Sequence, residues 1–209
     1  MNKLFVLSLF VLVSVSEAVL MVSTNEITGR VYAIETDGVN WNSANIAAGN
    51  LSVSGLSDFY LAVIDDAAEN AYLFGLLNSV GVSTTALDGG GATYAWIGFS
   101  QSGGPEPAGG WSWVSGSSSY LNWGSNAFGS EPDNFFGVQN HGALALTDWP
   151  MGDAGEWNDL DGSSNSLAYV MESSTVVPEP STFLLTSSAL LLGGLMRDRF
   201  RKTEADSLF

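Results

Sequence analysis

The chain has 209 residues, 22 Asp and Glu against 6 Lys and Arg, no Cys and one His, for a formal net charge of −16. Lack of Cys excludes disulfides, thiolate zinc sites and thiol nucleophiles, and a single His, His141, excludes multi-His metal centres and argues against a Ser-His-Asp triad. Between Val19 and Pro180 eighteen carboxylates face one cation, Arg30, a charge of about −17, which excludes nucleic acid, argues against anionic substrates and phosphate cradles, and favours divalent cations and neutral sugars.

Residues 1–18 read as a secretory signal. Lys3 is the positive end, Leu4–Val15 the apolar run, and Ser16-Glu17-Ala18 a small-x-small cleavage site. Alternation over Val31–Glu35 predicts a strand. Trp41–Gly49 predicts a short helix stopped by Gly49. Phe59–Ile64, bounded by Asp58 and Asp65, predicts a buried strand. Asp66–Leu77 predicts a helix capped by Asp65 or Asp66, with Glu69 in its first turn. Its apolar stripe runs through Ala68, Tyr72 and Leu76 with Leu73 and Leu77. Tyr94–Phe99 is the next strand.

From Ser100 to Gly142 the chain is rich in Gly, Ser, Asn, Trp and Pro. That is longer than a compact domain spends on a connection, so it reads as a binding loop region. Leu144–Leu146, Glu156–Leu160 and Tyr169–Glu172 are short strands. Helices early and short strands late give an α+β layout without βαβ alternation. After the prolines at Pro178 and Pro180 comes an apolar run, Phe183–Met196, of 14 residues. As a helix it spans roughly 21 Å, short of the roughly 30 Å hydrocarbon core. Arg197, Arg199, Arg201 and Lys202 follow and mark a cytoplasmic side.

Two clusters carry chemistry: Glu131-Pro132-Asp133-Asn134 and Glu156-Trp157-Asn158-Asp159. Oxygen-only side chains of this kind suit a hard cation such as Ca²⁺. Pro132 fixes φ, and a cis bond there turns both neighbouring carboxylates to one side. Each cluster alone reads more readily as a solvated acidic loop. Trp149 either packs on the core or offers a face to a sugar. Trp41, Trp96, Trp111, Trp113 and Trp157 read as core, and His141 as a loop or strand residue with a local hydrogen bond. Glu131 and Asp133 bracket a proline as paired catalytic carboxylates would, but nothing else in the chain supports an enzyme.

Taken together and in this order, Trp96-Ile97-Gly98, Glu131-Pro132-Asp133 and Trp157-Asn158-Asp159 resemble the C-type lectin-like domain over roughly residues 30–172. The resemblance implies a fold of two helices, small antiparallel sheets and a long loop region, here without disulfides. It implies one principal Ca²⁺ site with Glu131, Asp133, Asn158 and Asp159 as ligands. A further family Glu matches Gln139, so a carboxylate is missing there, and Asp133 restores one. Glu131 with Asp133 gives two acceptors and leaves Asn158 as the donor to a sugar hydroxyl. The implied partner is a neutral polysaccharide or glycan, with Trp149 as a stacking candidate. A structural or protein-binding module without calcium is the alternative reading.

Val177-Pro178-Glu179-Pro180-Ser181-Thr182, the apolar run and the basic cluster resemble the PEP-CTERM sorting signal of Gram-negative bacteria that make exopolysaccharide. That resemblance implies export, membrane retention through the C-terminal segment, and processing near Pro178-Glu179-Pro180 by an exosortase-type enzyme. The tail Thr203–Phe209 departs from the usual pattern. The expected organisation is a signal peptide at 1–18, a lectin-like domain at 19–174 and a sorting segment at 175–209.

Overall fold

The computed structural model describes residues 11–15 and 18–177. The expected sorting motif at Pro178, Glu179 and Pro180 and the apolar run after it lie outside the described residues. One large sheet runs through the domain. Its strands are β1 (Val11–Val15), β2 (Ala18–Thr24), β3 (Arg30–Val39), β4 (Phe59–Leu61), β5 (Tyr94–Gln101), β6 (Trp111–Trp113), β9 (His141–Ala145), β10 (Trp157–Leu160) and β11 (Leu167–Val176). The order is β1-β2-β3-β11-β5-β9-β10, with β4 paired to β11 and β6 to β5. A small hairpin of β7 (Ser125–Asn126) and β8 (Gly129–Ser130) stands apart.

β11 organises the sheet. Along one edge it pairs antiparallel with β3 from Leu167↔Val39 to Val176↔Arg30. It also pairs parallel with β5 at Ala168↔Ala95 and antiparallel with β4 at Met171↔Leu61. This pairing brings the two ends of the domain together, and the Val177 amide donates to the Gly29 carbonyl at 2.8 Å. The expected domain boundary after Ser174 therefore falls inside a strand.

Helix α1 (Trp41–Asn50) starts where the Asn40 side chain accepts from the Ser43 amide at 2.8 Å. It runs one residue past Gly49, the expected stop. Helix α2 (Ala67–Ser79) is capped by Asp66, which accepts from the Glu69 amide at 2.9 Å. Its buried face is Glu69, Asn70, Leu73, Leu76 and Leu77. The expected stripe through Ala68 and Tyr72 is thus rotated: Ala68 is exposed and Tyr72 half-buried.

Period-two alternation sorts the strand side chains onto two cores, one on each sheet face. Tyr94 and Trp96 of β5 join Trp41, Ala44 and Ala48 of α1 on one face. Ala95, Ile97 and Phe99 join Leu73, Leu76 and Leu77 of α2 on the other. Gly98 between them is obligatory, because a Cβ there would collide with the Leu61 carbonyl. Of the expected strand Phe59–Ile64 only Phe59–Leu61 is laddered, although Ala62, Val63 and Ile64 remain buried. Val63 instead donates its amide to the Glu172 carboxylate at 3.2 Å. Trp41, Trp96 and Trp157 are core as expected, whereas Trp111 and Trp113 are half-buried on the second core.

Among the described residues the ion pairs gather at the β3–α2–β11 junction. Arg30 bridges Asp65, Glu69 at 2.8 Å and Glu172 at 3.4 Å. Tyr32 donates to Glu69 at 2.5 Å. The expected local hydrogen bond of His141 is not made: its ring lies 4.3 Å from that of Trp41, and Nδ1 is buried without a partner.

Candidate metal and sugar site

The long connection after β6 curls back onto β10. Glu131-Pro132 is a cis bond, and Asn134 (φ 50°) and Phe136 (φ 60°) take left-handed backbone conformations. This curl presents the amides of Asp133 and Asn134 to the Asp159 carboxylate at 3.1 and 2.9 Å. Glu131, Asp133 and Asp159 each place a carboxylate oxygen within 4.8 Å of the others. Asn158, adjacent to Asp159 on β10, lines a cleft of about 290 Å³ together with Glu131 and Asp133. Asp88, Gly90, Phe135, Gln139, Trp149, Pro150 and Met151 line the rest of it.

Each side chain is held by a specific partner. Glu131 Oε1 accepts from Trp149 Nε1 at 3.1 Å, but Oε2 is buried with no partner. Tyr94 Oη donates to the Gly89 carbonyl at 2.8 Å, so toward Asn158 it must accept. That fixes the amide orientation: Asn158 Nδ2 donates to Tyr94 at 2.9 Å and Oδ1 is left buried and unpaired. One of the amide hydrogens expected for a sugar hydroxyl is therefore committed to Tyr94. Burial holds the Tyr94 hydroxyl well above the usual phenol range, so it stays a proton-bearing support.

Burial pushes both Glu131 and Asp159 above the carboxylate range. For Glu131, the charges of Asp159 and Asp133 push the same way and the Trp149 hydrogen bond opposes them. For Asp159, the two backbone amides offset part of the burial cost. Without a counter-ion the site is thus an electrostatic frustration: adjacent buried carboxyls and two orphaned oxygens. Oxygen-only donors with unpaired lone pairs fit a hard divalent cation, which takes 6–8 such atoms.

Gln139 lines the cleft, but its amide is engaged. Oε1 accepts from the Phe135 amide at 2.6 Å, and Nε2 donates to the Asp88 carbonyl and carboxylate, both at 3.2 Å. Trp149 is buried, packed against Gly124 and Gly152, where an added Cβ would strike its ring, and edge-on to Tyr94 at 6.0 Å. Its face is covered on that side, and its polar edge serves Glu131. The exposed aromatic lining the cleft is instead Phe135, with the Phe136 ring centroid 4.0 Å from its own; the two are 49% and 83% exposed. Sequence reasoning passed over these two and over Tyr94. Phe-Phe flanked by Asn134 and Gly137 in the acidic loop was the available signal for the pair.

Comparison with known proteins agrees with this architecture. No protein-family model and no curated protein matches the chain. Among solved structures it is similar to the C-type lectin CEL-I from Cucumaria echinata: 21% identity, 71% of this chain and 92% of the lectin covered, TM-score 0.53. An EPNH mutant of CEL-I gives 22% identity, the same coverage and a TM-score of 0.54. CEL-IV gives 25% identity over 71% of this chain and 90% of its own, TM-score 0.53. The chain has the C-type lectin-like fold, built without disulfides.

Proposed function

We propose that this is an exported, envelope-associated lectin-like protein that binds a neutral glycan through one calcium ion, and that it is not an enzyme. Glu131, Asp133, Asn158 and Asp159 are the residues that would hold the ion. The observation that carries the reading is the pair of buried, unpartnered oxygens, Glu131 Oε2 and Asn158 Oδ1, beside three clustered carboxylates. A bound Ca²⁺ supplies charge neutralisation and open coordination positions suited to vicinal hydroxyls. The protein supplies acceptors at Glu131 and Asp133 and the apolar face of Phe135, backed by Phe136, beside the cleft. The charge of about −17 disfavours uronic acids and other anionic sugars.

Gln139 is not needed as a ligand in this reading, since its amide orders the loop. Trp149 acts as a holder of Glu131 and not as a stacking face. Export, exosortase-type processing near Pro178-Glu179-Pro180 and membrane retention through Phe183–Met196 rest on the sequence pattern. Among the described residues no helix is long and apolar enough to cross a membrane.

The test is retention on an immobilised neutral polysaccharide in Ca²⁺, with elution by EDTA. Wild type is expected to be retained and released, and Asp159→Asn to pass through. The second reading, a protein-binding module without calcium, draws on the exposed apolar rim of Phe128, Phe135, Phe136 and Val138. Retention on a protein partner unchanged by EDTA, with none on glycan, would establish it.

A further inference from the structure

The outermost strand of the sheet is β1, and it covers the free edge of β2. Five residue pairs join them, from Val11↔Val22 to Val15↔Ala18. The export reading places the cleavage site at Ser16-Glu17-Ala18, in the connection between these two strands. Cleavage there removes β1 and starts the exported domain at Val19, inside β2. The strand itself remains anchored. Its register with β3 runs from Leu20↔Glu35 to Thr24↔Val31. Leu20 and Val22 sit in one core, Met21 packs on the other, and Ser23 Oγ is 3.1 Å from Tyr72 Oη.

The exposed edge is then Val19-Leu20-Met21-Val22-Ser23-Thr24. It carries no charge, no Pro and no Gly. Edge strands of monomers are normally protected by such residues. We infer that the exported protein pairs through this edge with a second copy of itself, forming a two-fold antiparallel β2–β2 ladder in place of β1. The inference rests on the export reading. Two observations select the occupant. The β1 pairing shows that this edge accepts an antiparallel, uncharged, mostly apolar strand, and β2 is itself such a strand. Antiparallel pairing of a strand with its own copy is isologous, so it closes as a dimer and does not propagate. The contact strand is neutral while each domain carries about −17. Repulsion therefore acts at long range, and salt screens it.

The absence of Cys makes the test clean. The full chain is expressed with its export signal in a Gram-negative host, and the mass of the exported protein gives its N-terminus. Single variants Val19→Cys, Met21→Cys and Ser23→Cys are oxidised, with the exposed Ser52→Cys as control. Wild type is followed by sedimentation across salt concentrations. The expected result is a start at Val19, a mass of two chains, and covalent dimers from at least one β2 position but not from Ser52→Cys. The dimer dissociation constant is expected to fall roughly tenfold between about 20 and 500 mM salt. A cleaved protein that stays monomeric at every salt, with no β2 cross-link, overturns the dimer and leaves the export reading intact. A retained Val11–Val15 overturns both, since the edge stays covered. Association that weakens with salt, without β2 cross-links, shows copies meeting through another, polar surface and overturns pairing through β2.

Discussion

Glu131→Gln should stabilise the metal-free protein while removing its response to calcium. In the native state Glu131 is 7% exposed, one of its oxygens has no partner, and Asp159 and Asp133 repel it. An unpaired buried polar atom costs about 1–3 kcal/mol. The introduced amide keeps an oxygen for Trp149 and turns a donor toward the neighbouring carboxylates. The relief should be about 1–2 kcal/mol, in the lower part of the range because Trp149 already serves one oxygen. For a domain of this size that is a rise of about 2–8 °C in Tm. The pH dependence has a definite sign. Glu131 and Asp159 are both raised in the folded state, so they favour the native state fully below the unfolded carboxylate value of about 4. That contribution is lost as pH rises through the folded values. The advantage of Glu131→Gln should therefore be large near pH 8 and vanish near pH 4. Thermal melts in EDTA across this range measure it. A variant less stable than wild type at pH 8 would refute the reasoning, because Glu131 would then be a structural acceptor and not a frustrated ligand.

Tyr94→Phe removes the hydroxyl that orients Asn158 and donates to Gly89, so calcium affinity should fall about 10–100-fold, with a loss of about 1–2 kcal/mol in stability; calcium titration and urea unfolding separate the two effects. Arg30→Met strips the counter-charge from Glu69 and Glu172, which are 8% and 2% exposed. Because Arg30 is itself 31% exposed, the expected cost is about 2–4 kcal/mol, below the full value for a broken buried pair. Glu172 is already pushed up to about 7 by burial, then by Glu69, so this loss should be largest above pH 7 and shrink toward pH 5, and Glu172→Gln in the same chain should recover part of it. Gly98→Ala should fail to give a folded domain by circular dichroism, since its Cβ meets the Leu61 backbone and not a movable side chain.

The sequence made legible what local chemistry decides. The Asp66 cap, the β5 strand with its Gly98, and the order of the two acidic clusters are visible within a few residues. What stayed hidden depends on distant partners. The α2 stripe was misplaced because Glu69 and Asn70 look like surface residues. They are buried by Arg30, Tyr32 and Trp157, the last donating to Asn70 at 2.7 Å from 87 residues away. The roles of Tyr94 and of the Gln139 amide are likewise long-range. The strand β2 is hidden in the sequence because Ala18–Thr24 resumes the apolar character of the segment read as an export signal only two residues, Ser16 and Glu17, after that run ends.

Calcium titration calorimetry on the wild-type protein near pH 7.5 tests the central claim most directly. The account predicts one site with a dissociation constant at or below about 1 mM, as for extracellular calcium modules, abolished in Asp159→Asn. No heat of binding, together with an unchanged Tm at ~10 mM Ca²⁺, would contradict it, because a cation held by the native state must raise its stability.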